Sequence, residues 1–208
     1  MPTLTDAPTT VATPTRLRLA KLITDVLSPA VLVALLTLTV AWNAAAGLAQ
    51  ALTVGLIAAA AGSFIPIAYI LRGVRKGRWT DKHVRVRAQR KLPILACLIS
   101  TVLGTVVLYL VDAPRQLIAL IIAMVASLAV AAPVTVLLRW KISVHALVAA
   151  GTTAALTVIF GPFGLVTAPV AVAVCWSRVV LRDHTLLQVI GGTIVGTAAM
   201  TFLFPVLS

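Results

Sequence analysis

Two histidine motifs lie beside apolar segments in the second half of the chain. One is Ser143-x-His145, and the other is Ser177-Arg178 followed by five residues and His184. Neutral imidazole is a competent nucleophile near pH 7, protonated imidazole donates a proton, and guanidinium binds phosphate through two parallel hydrogen bonds. Two histidines with a nearby arginine therefore indicate phosphoryl-transfer chemistry, with one ring attacking phosphorus and the other protonating the leaving group.

The elements that position these motifs are predicted to be membrane helices. Hydrophobic residues make up 61% of the 208-residue chain and charged residues only 11%. Apolar runs of about 20 residues match the hydrocarbon thickness of a bilayer. We predict an all-α, polytopic helical membrane bundle of six to seven transmembrane helices. The predicted spans are 24–42, 51–71, 94–111, 116–138, 144–160, 165–181 and 186–206. In the last span, Gly192 and Gly196 form a GxxxG pattern that favours close helix packing.

Charge predicts the domain organisation and the orientation. Residues 1–15 are rich in Thr, Pro and Ala, which is typical of a disordered tail, and residues 16–208 form one membrane-embedded domain. With seven spans, nearly all lysines and arginines lie on one membrane face, and Arg115 is the exception. The positive-inside rule then predicts a multi-pass protein of the cell membrane, with the N-terminus and the basic loops in the cytoplasm.

Composition also bears on cofactors and partners. The chain has five Asp, no Glu and two cysteines without metal-ligand spacing, so we expect no metal and no cofactor. The net charge of +12 lies at the predicted membrane edges. We therefore expect phosphate groups and membrane lipid as partners, and no nucleic acid.

The Ser177-Arg178-x5-His184 pattern resembles the third motif of the type 2 phosphatidic acid phosphatase (PAP2) superfamily, of which the chain looks like a divergent member. The resemblance implies that His184 is the nucleophile that forms a phosphohistidine, and that Arg178 and Ser177 contact the phosphate. The Asp that follows the histidine in the family falls on Gln188 here. Gln188 is therefore expected to support His184 through a hydrogen bond but without a charge.

The two other PAP2 motifs are matched in part. Ser143 and His145 correspond to the Ser and His of Pro-Ser-Gly-His, which implies that His145 is the general acid and that Ser143 lies in the phosphate site. The first family motif is Lys, six residues, then Arg-Pro. Placing Arg90 at the family's Arg puts His83 at its Lys, and Arg87 shares a helix face with Arg90. These three residues are expected to bind the substrate phosphate.

By this resemblance the protein is an integral membrane lipid phosphatase that hydrolyses a lipid phosphate or isoprenyl (di)phosphate through a phosphohistidine intermediate. Two alternatives stay open. The scaffold could catalyse transfer or cyclisation of a prenyl diphosphate, because Gln188 and Val144 depart from the hydrolytic pattern. It could also be a non-enzymatic membrane protein that binds anionic lipid, which would need the arginines but not His184.

Overall fold

The computed structural model describes residues 13–208, apart from the side chain of Arg87. This part of the chain contains helices and connecting turns and no strand. The α-helices are α1 (Pro14–Val26), α2 (Pro29–Ala44), α3 (Leu48–Ala59), α4 (Ile65–Arg75), α5 (Lys91–Leu110), α6 (Arg115–Val136), α7 (Val144–Phe160), α8 (Ala168–Val180), α9 (Leu186–Ala198) and α10 (Phe204–Leu207). Most of the predicted tail, residues 1–12, lies outside the described residues. Because α1 already begins at Pro14, the last two residues of that predicted tail are helical.

The helices have the length and apolarity of membrane spans, as the sequence predicts. Within the described residues, five helical stretches are long and apolar enough to cross a membrane, and the number is six if the bent pair α1 and α2 is one span. Large apolar side chains face outward, as in Tyr109 and Leu110 at more than 70% exposure. Such outward-facing apolar surface is stable against lipid and costly in water. The protein is therefore an all-helical membrane bundle.

The stretch Val144–Val180 is helical throughout but folds back on itself. A 3-10 segment over Gly161–Thr167 separates α7 from α8, and Gly161 has a left-handed φ of 62° that allows the reversal. Gly164 lies so close to α7 that a Cβ atom there would be 2.2 Å from the Thr157 nitrogen. The two short predicted spans 144–160 and 165–181 thus form a helical hairpin, which returns Arg178 to the level of His145.

Two π-helical turns each precede a proline. Ala60–Phe64 lies before Pro66 in the continuous α3–α4 stretch, and Ala199–Leu203 lies before Pro205. Proline has no N–H for the bond to the residue four positions earlier, and its ring crowds that carbonyl. Widening the preceding turn relieves the crowding, so these prolines deform the helices without ending them.

Glycines allow α7 and α9 to pack with their backbones in close approach. A Cβ atom at Gly192 would be 2.4 Å from the Ser143 oxygen, and one at Gly196 would be 2.0 Å from the Leu147 oxygen. Any side chain at these two positions would therefore force the helices apart. The predicted GxxxG packing is confirmed, and it holds the start of α7 against the start of α9.

Candidate functional site

Five of the predicted site residues come together at one end of the bundle. His83, Arg90, His145, Arg178 and His184, which we call the basic cluster, are contributed by the loop before α5, the start of α7 and the end of α8 with its following loop. Four of them are buried, and Arg178 has no solvent exposure. Burial of several basic groups together is costly unless they are paired, and such sites are frequently functional.

His184 lies in the turn between α8 and α9, where its ring is oriented by a backbone carbonyl. Its Nδ1 lies 3.0 Å from the Lys141 oxygen. Because a carbonyl only accepts, Nδ1 carries the proton and Nε2 carries the lone pair. Nε2 is buried and has no hydrogen-bond partner among the described residues. The lone pair of a neutral imidazole is therefore available for attack.

The charge state of His184 follows from its surroundings. Burial is the largest cause, and the positive charges of Arg90, Lys141 and Arg178 act in the same direction, so that the pKa of His184 is lowered to about 3. Burial likewise lowers the pKa of Lys141 below its usual value. His184 is consequently neutral at every physiological pH.

Arg178 is held from two sides, by a hydroxyl and by a carboxylate. Nη1 donates to the Thr24 hydroxyl at 3.3 Å, and Nη2 lies 2.7 Å from Oδ2 of Asp183. That ionic contact is not aligned as a hydrogen bond, so Nε and Nη2 have no hydrogen-bond acceptor in residues 13–208. Nε therefore has no acceptor among the described residues, whereas Nη2 already lies against the Asp183 carboxylate.

Arg90 is held by the loop that precedes α5. Its Nε donates to the Val84 carbonyl at 2.9 Å and Nη1 donates to the Ile142 carbonyl at 3.3 Å. Val84 has a φ of 46°, an unfavourable conformation for a β-branched residue that costs on the order of 1–3 kcal/mol. The loop is anchored by buried Trp79, whose indole N–H donates to the Gln89 carbonyl. The loop therefore fixes Arg90 within the cluster instead of leaving it as a mobile surface cation.

His145 and His83 are neighbours on the other side of the cluster. Their ring centroids are 5.3 Å apart, and Nε2 of His145 is buried without a partner among the described residues. Nε2 of His83 lies 2.9 Å from Oδ1 of Asp25, which also contacts the Lys82 ammonium at 2.8 Å. Burial lowers the pKa of His83, although the hydrogen bond to Asp25 acts in the opposite direction. His83 is thus a histidine with its own carboxylate, like the orienting pair of a catalytic triad.

The other predicted site residues have different surroundings. The Ser143 hydroxyl accepts from the Ala146 N–H as the N-cap of α7, and the Ser177 hydroxyl donates to the Val174 carbonyl, so both side chains have local structural bonds. Arg87 begins a short 3-10 helix over Arg87–Arg90, and its side chain lies outside the described part.

Gln188 does not bond to the His184 ring, contrary to the expectation from the sequence. Gln188 forms a capping box with Thr185, in which its side-chain oxygen accepts from the Thr185 N–H at 3.2 Å. The Lys141 carbonyl occupies the position at the His184 ring instead. A residue three positions after the N-cap reaches back to the cap with little loss of entropy, and this local bond decides where the side chain lies.

Sequence reasoning missed the acidic partners of the cluster. Asp25 binds His83 and Lys82, and Asp183 contacts Arg178 as well as the Arg85 side chain at 3.2 Å. A signal for Asp25 was present, since a carboxylate at the edge of an apolar segment is costly and needs a partner. Which partner it meets depends on helix packing and is not visible in the sequence.

An apolar cavity of about 490 Å³ opens from the basic cluster into the bundle. His83, Arg90 and His145 line one end of it together with Asp25 and Lys82, and the remaining wall comes mainly from α2, α4, α5, α6, α7, α9 and the two π-helical turns. We call it the apolar cavity. Its volume lies in the range of small-molecule sites, and its position gives a ligand both a charged end and an apolar compartment.

Comparison with known proteins adds no identification. No family model matches the chain, and no match was found among curated proteins or solved structures. In residues 13–208, no group of three or more His, Cys, Asp or Glu side chains has an arrangement that could hold a metal ion.

Proposed function

We propose that the protein is a membrane-embedded lipid phosphatase of PAP2-like type, with its site at the cytoplasmic face. The observation that carries the proposal is the neutral ring of His184, whose Nε2 has no hydrogen-bond partner in residues 13–208, in a buried cluster with Arg178. A phosphate monoester is an anion that needs both a nucleophile and fixed positive charge, and the cluster contains both. The adjoining apolar cavity supports a lipid as the carrier of that phosphate.

The proposed reaction has two steps. In the first, the bound phosphate anion favours the protonated form of His145. The Nε2 lone pair of His184 attacks phosphorus, the bond from phosphorus to the leaving oxygen breaks, and protonated His145 gives its proton to that oxygen. In the second, water attacks the phosphohistidine, phosphate leaves from Nε2, and the proton of the water returns to His145. The N–H groups of Arg178 and Arg90 stabilise the charge on the non-bridging oxygens.

The Lys141 carbonyl replaces part of what an Asp would supply to His184. It fixes the tautomer that exposes Nε2, but as a neutral dipole it stabilises the phosphoimidazolium less than a carboxylate does. We therefore expect slower formation of the intermediate than in a histidine with an acidic partner, with the same dependence on His184.

The test is release of inorganic phosphate from a panel of lipid phosphates and diphosphates by purified protein in detergent with EDTA. Wild type is compared with His184→Ala and with Arg182→Gln, which removes an exposed charge from the same loop. The proposal expects turnover in wild type, loss of more than 10³-fold in His184→Ala, and a change of less than twofold in Arg182→Gln. An acid-labile phosphate on the wild-type protein but not on His184→Ala identifies the intermediate.

Two outcomes contradict the proposal and identify an alternative. Prenyl products formed without release of monophosphate would show transfer or cyclisation. Lipid binding that survives His184→Ala, with no turnover in wild type, would show a non-enzymatic protein that binds anionic lipid.

A further inference from the structure

The apolar cavity extends far into the bundle from the basic cluster. Along α5 its wall runs from Arg90 to Thr101, and along α7 from His145 to Thr152. At a rise of 1.5 Å per residue, the α5 wall is roughly 16 Å long. This is about half of a 30 Å hydrocarbon core. The cavity is therefore deep, and its charged lining residues, Asp25, Lys82 and Arg90, belong to the end at the basic cluster.

The hydroxyl groups in its wall offer almost no polarity to a ligand. Ser63 donates to the Ala30 carbonyl, Thr101 to that of Cys97 and Ser127 to that of Ala123, each at 2.8 Å or less. These hydroxyls are satisfied by backbone oxygens, as is common for Ser and Thr in membrane helices. Two hydroxyls differ: that of Thr152 is buried without a partner in the described part of the chain, and that of Ser28, before α2, makes no side-chain cap bond. The wall suits hydrocarbon.

The apolar cavity adjoins the basic cluster directly. Another cavity of the described residues is smaller, about 260 Å³, and is lined by Ala88, Lys91, Thr135, Val136 and Arg139. It shares no lining residue with the apolar cavity and none with the basic cluster. Of these two cavities, only the apolar cavity adjoins the cluster, so it is the compartment open to the chain of a lipid whose phosphate binds there.

We propose that the apolar cavity binds the hydrocarbon chain of a single-chain lipid phosphate, either prenyl or alkyl, and that it disfavours two-chain glycerophospholipids. The proposal rests on the function proposed above and narrows its substrate class. The phosphate binds between Arg90 and Arg178, and the chain descends between α5 and α7 towards Thr101 and Thr152.

The selection is expected to be steric. Moving a chain from lipid into a protein cavity gains little hydrophobic free energy, since lipid tails are as apolar as the cavity wall. The affinity for the lipid phosphate should therefore change little with chain length. Occupancy of the deep half of the cavity requires a long chain and a headgroup that carries only one chain. The informative measurements are those that report occupancy directly.

The two native cysteines supply such a measurement. Cys97 lines the apolar cavity, whereas Cys175 lies on α8 outside it, and both are free and half-buried. Alkylation of each by N-ethylmaleimide is followed by mass spectrometry in the His184→Ala protein, which should bind substrate without turning it over. Farnesyl phosphate and dodecyl phosphate are compared with didecanoyl phosphatidate and with inorganic phosphate.

The expected result is a fivefold or greater slowing of Cys97 alkylation by both single-chain phosphates, with Cys175 changed less than 1.5-fold. Phosphatidate and inorganic phosphate should leave both rates unchanged. Equal protection by phosphatidate would overturn the single-chain selection, and no protection by any lipid phosphate would overturn the cavity as a chain site. Protection by only one of the two single-chain phosphates would assign the chain as prenyl or alkyl.

A steric block gives a second readout in the active protein. Thr101→Trp fills the deep half of the apolar cavity, and Ile99→Trp places the same group on the outward face of α5, where Ile99 is exposed. The proposal expects Thr101→Trp to lower kcat/KM at least tenfold for farnesyl phosphate and less than twofold for a five-carbon prenyl phosphate. Ile99→Trp should change neither. Equal losses for both chain lengths would refute the chain assignment. If wild type turns over no substrate, the proposed phosphatase function fails, while cysteine protection still reports on the cavity.

Discussion

The protonation of His184 is the sharpest quantitative consequence of the structure. With a pKa of about 3, about 1% of the ring is protonated at pH 5. A histidine with the ordinary pKa of 6.5 would be about 97% protonated at that pH. Lowering the pH from 7.5 to 5 should therefore leave the proposed nucleophile neutral, and the proton should stay on Nδ1, which donates a hydrogen bond to the Lys141 carbonyl.

The measurement is simple because the chain has only three histidines. Ring-¹⁵N-labelled histidine is incorporated, spectra are recorded in detergent between pH 7.5 and 4.5, and His184 is assigned with His184→Gln. We expect two unlike nitrogen shifts for His184 across the range, the signature of a neutral ring protonated at Nδ1. Titration between pH 6 and 7, or a proton on Nε2, would refute both the burial argument and the assignment of His184 Nε2 as nucleophile.

The free energy of unfolding should also depend on the protonation of His184. Because the folded protein keeps His184 neutral while the unfolded chain protonates it below about pH 6.5, the unfolded state binds more protons and folding weakens as the pH falls towards 3. Between pH 7 and 5 the loss is about 2 kcal/mol. His184→Gln removes this contribution, so its stability should decline less over that interval by about the same amount. An unchanged decline in the variant would contradict a neutral buried ring.

Three further substitutions test the packing around the site. Gln188→Ala should lower the free energy of unfolding by about 1 kcal/mol through loss of the capping box, and it should change kcat less than twofold. A tenfold loss of kcat in folded protein would instead show that Gln188 contributes to the proposed reaction. Gly196→Ala should lower the unfolding midpoint by several degrees, because the added Cβ atom would meet the backbone of α7. Gly47→Ala, which adds a Cβ atom in open space, should leave the midpoint unchanged. Equal effects of the two substitutions would contradict the close packing of α7 and α9. Asp183→Ala should lower the free energy of unfolding by about 3–5 kcal/mol, because Arg178 is then buried without its carboxylate. The double variant with Arg178→Met should recover most of that loss. If the losses of the two single variants simply add in the double variant, the two groups are not coupled.

Much of the architecture was predictable because it depends on local properties of the chain. Apolar runs with few charges specify membrane helices whatever their neighbours are, and the spacing of Gly192 and Gly196 predicted the close contact with α7. The order of the motifs also predicted that His145, Arg178 and His184 would share one end of the bundle. Their chemical roles remain predictions, since they rest on resemblance and on geometry.

The tertiary structure alone decided the partners of those residues. Arg178 meets Thr24, 154 positions away, and His83 meets Asp25, 58 positions away. No local pattern encodes such pairs, because they form only when α1 packs against α8 and the loop before α5 closes over both. From the sequence alone one could predict which basic groups come together and that membrane helices present them. Packing decided that a backbone carbonyl orients His184, that Gln188 caps α9 and that an apolar cavity lies beneath the basic cluster.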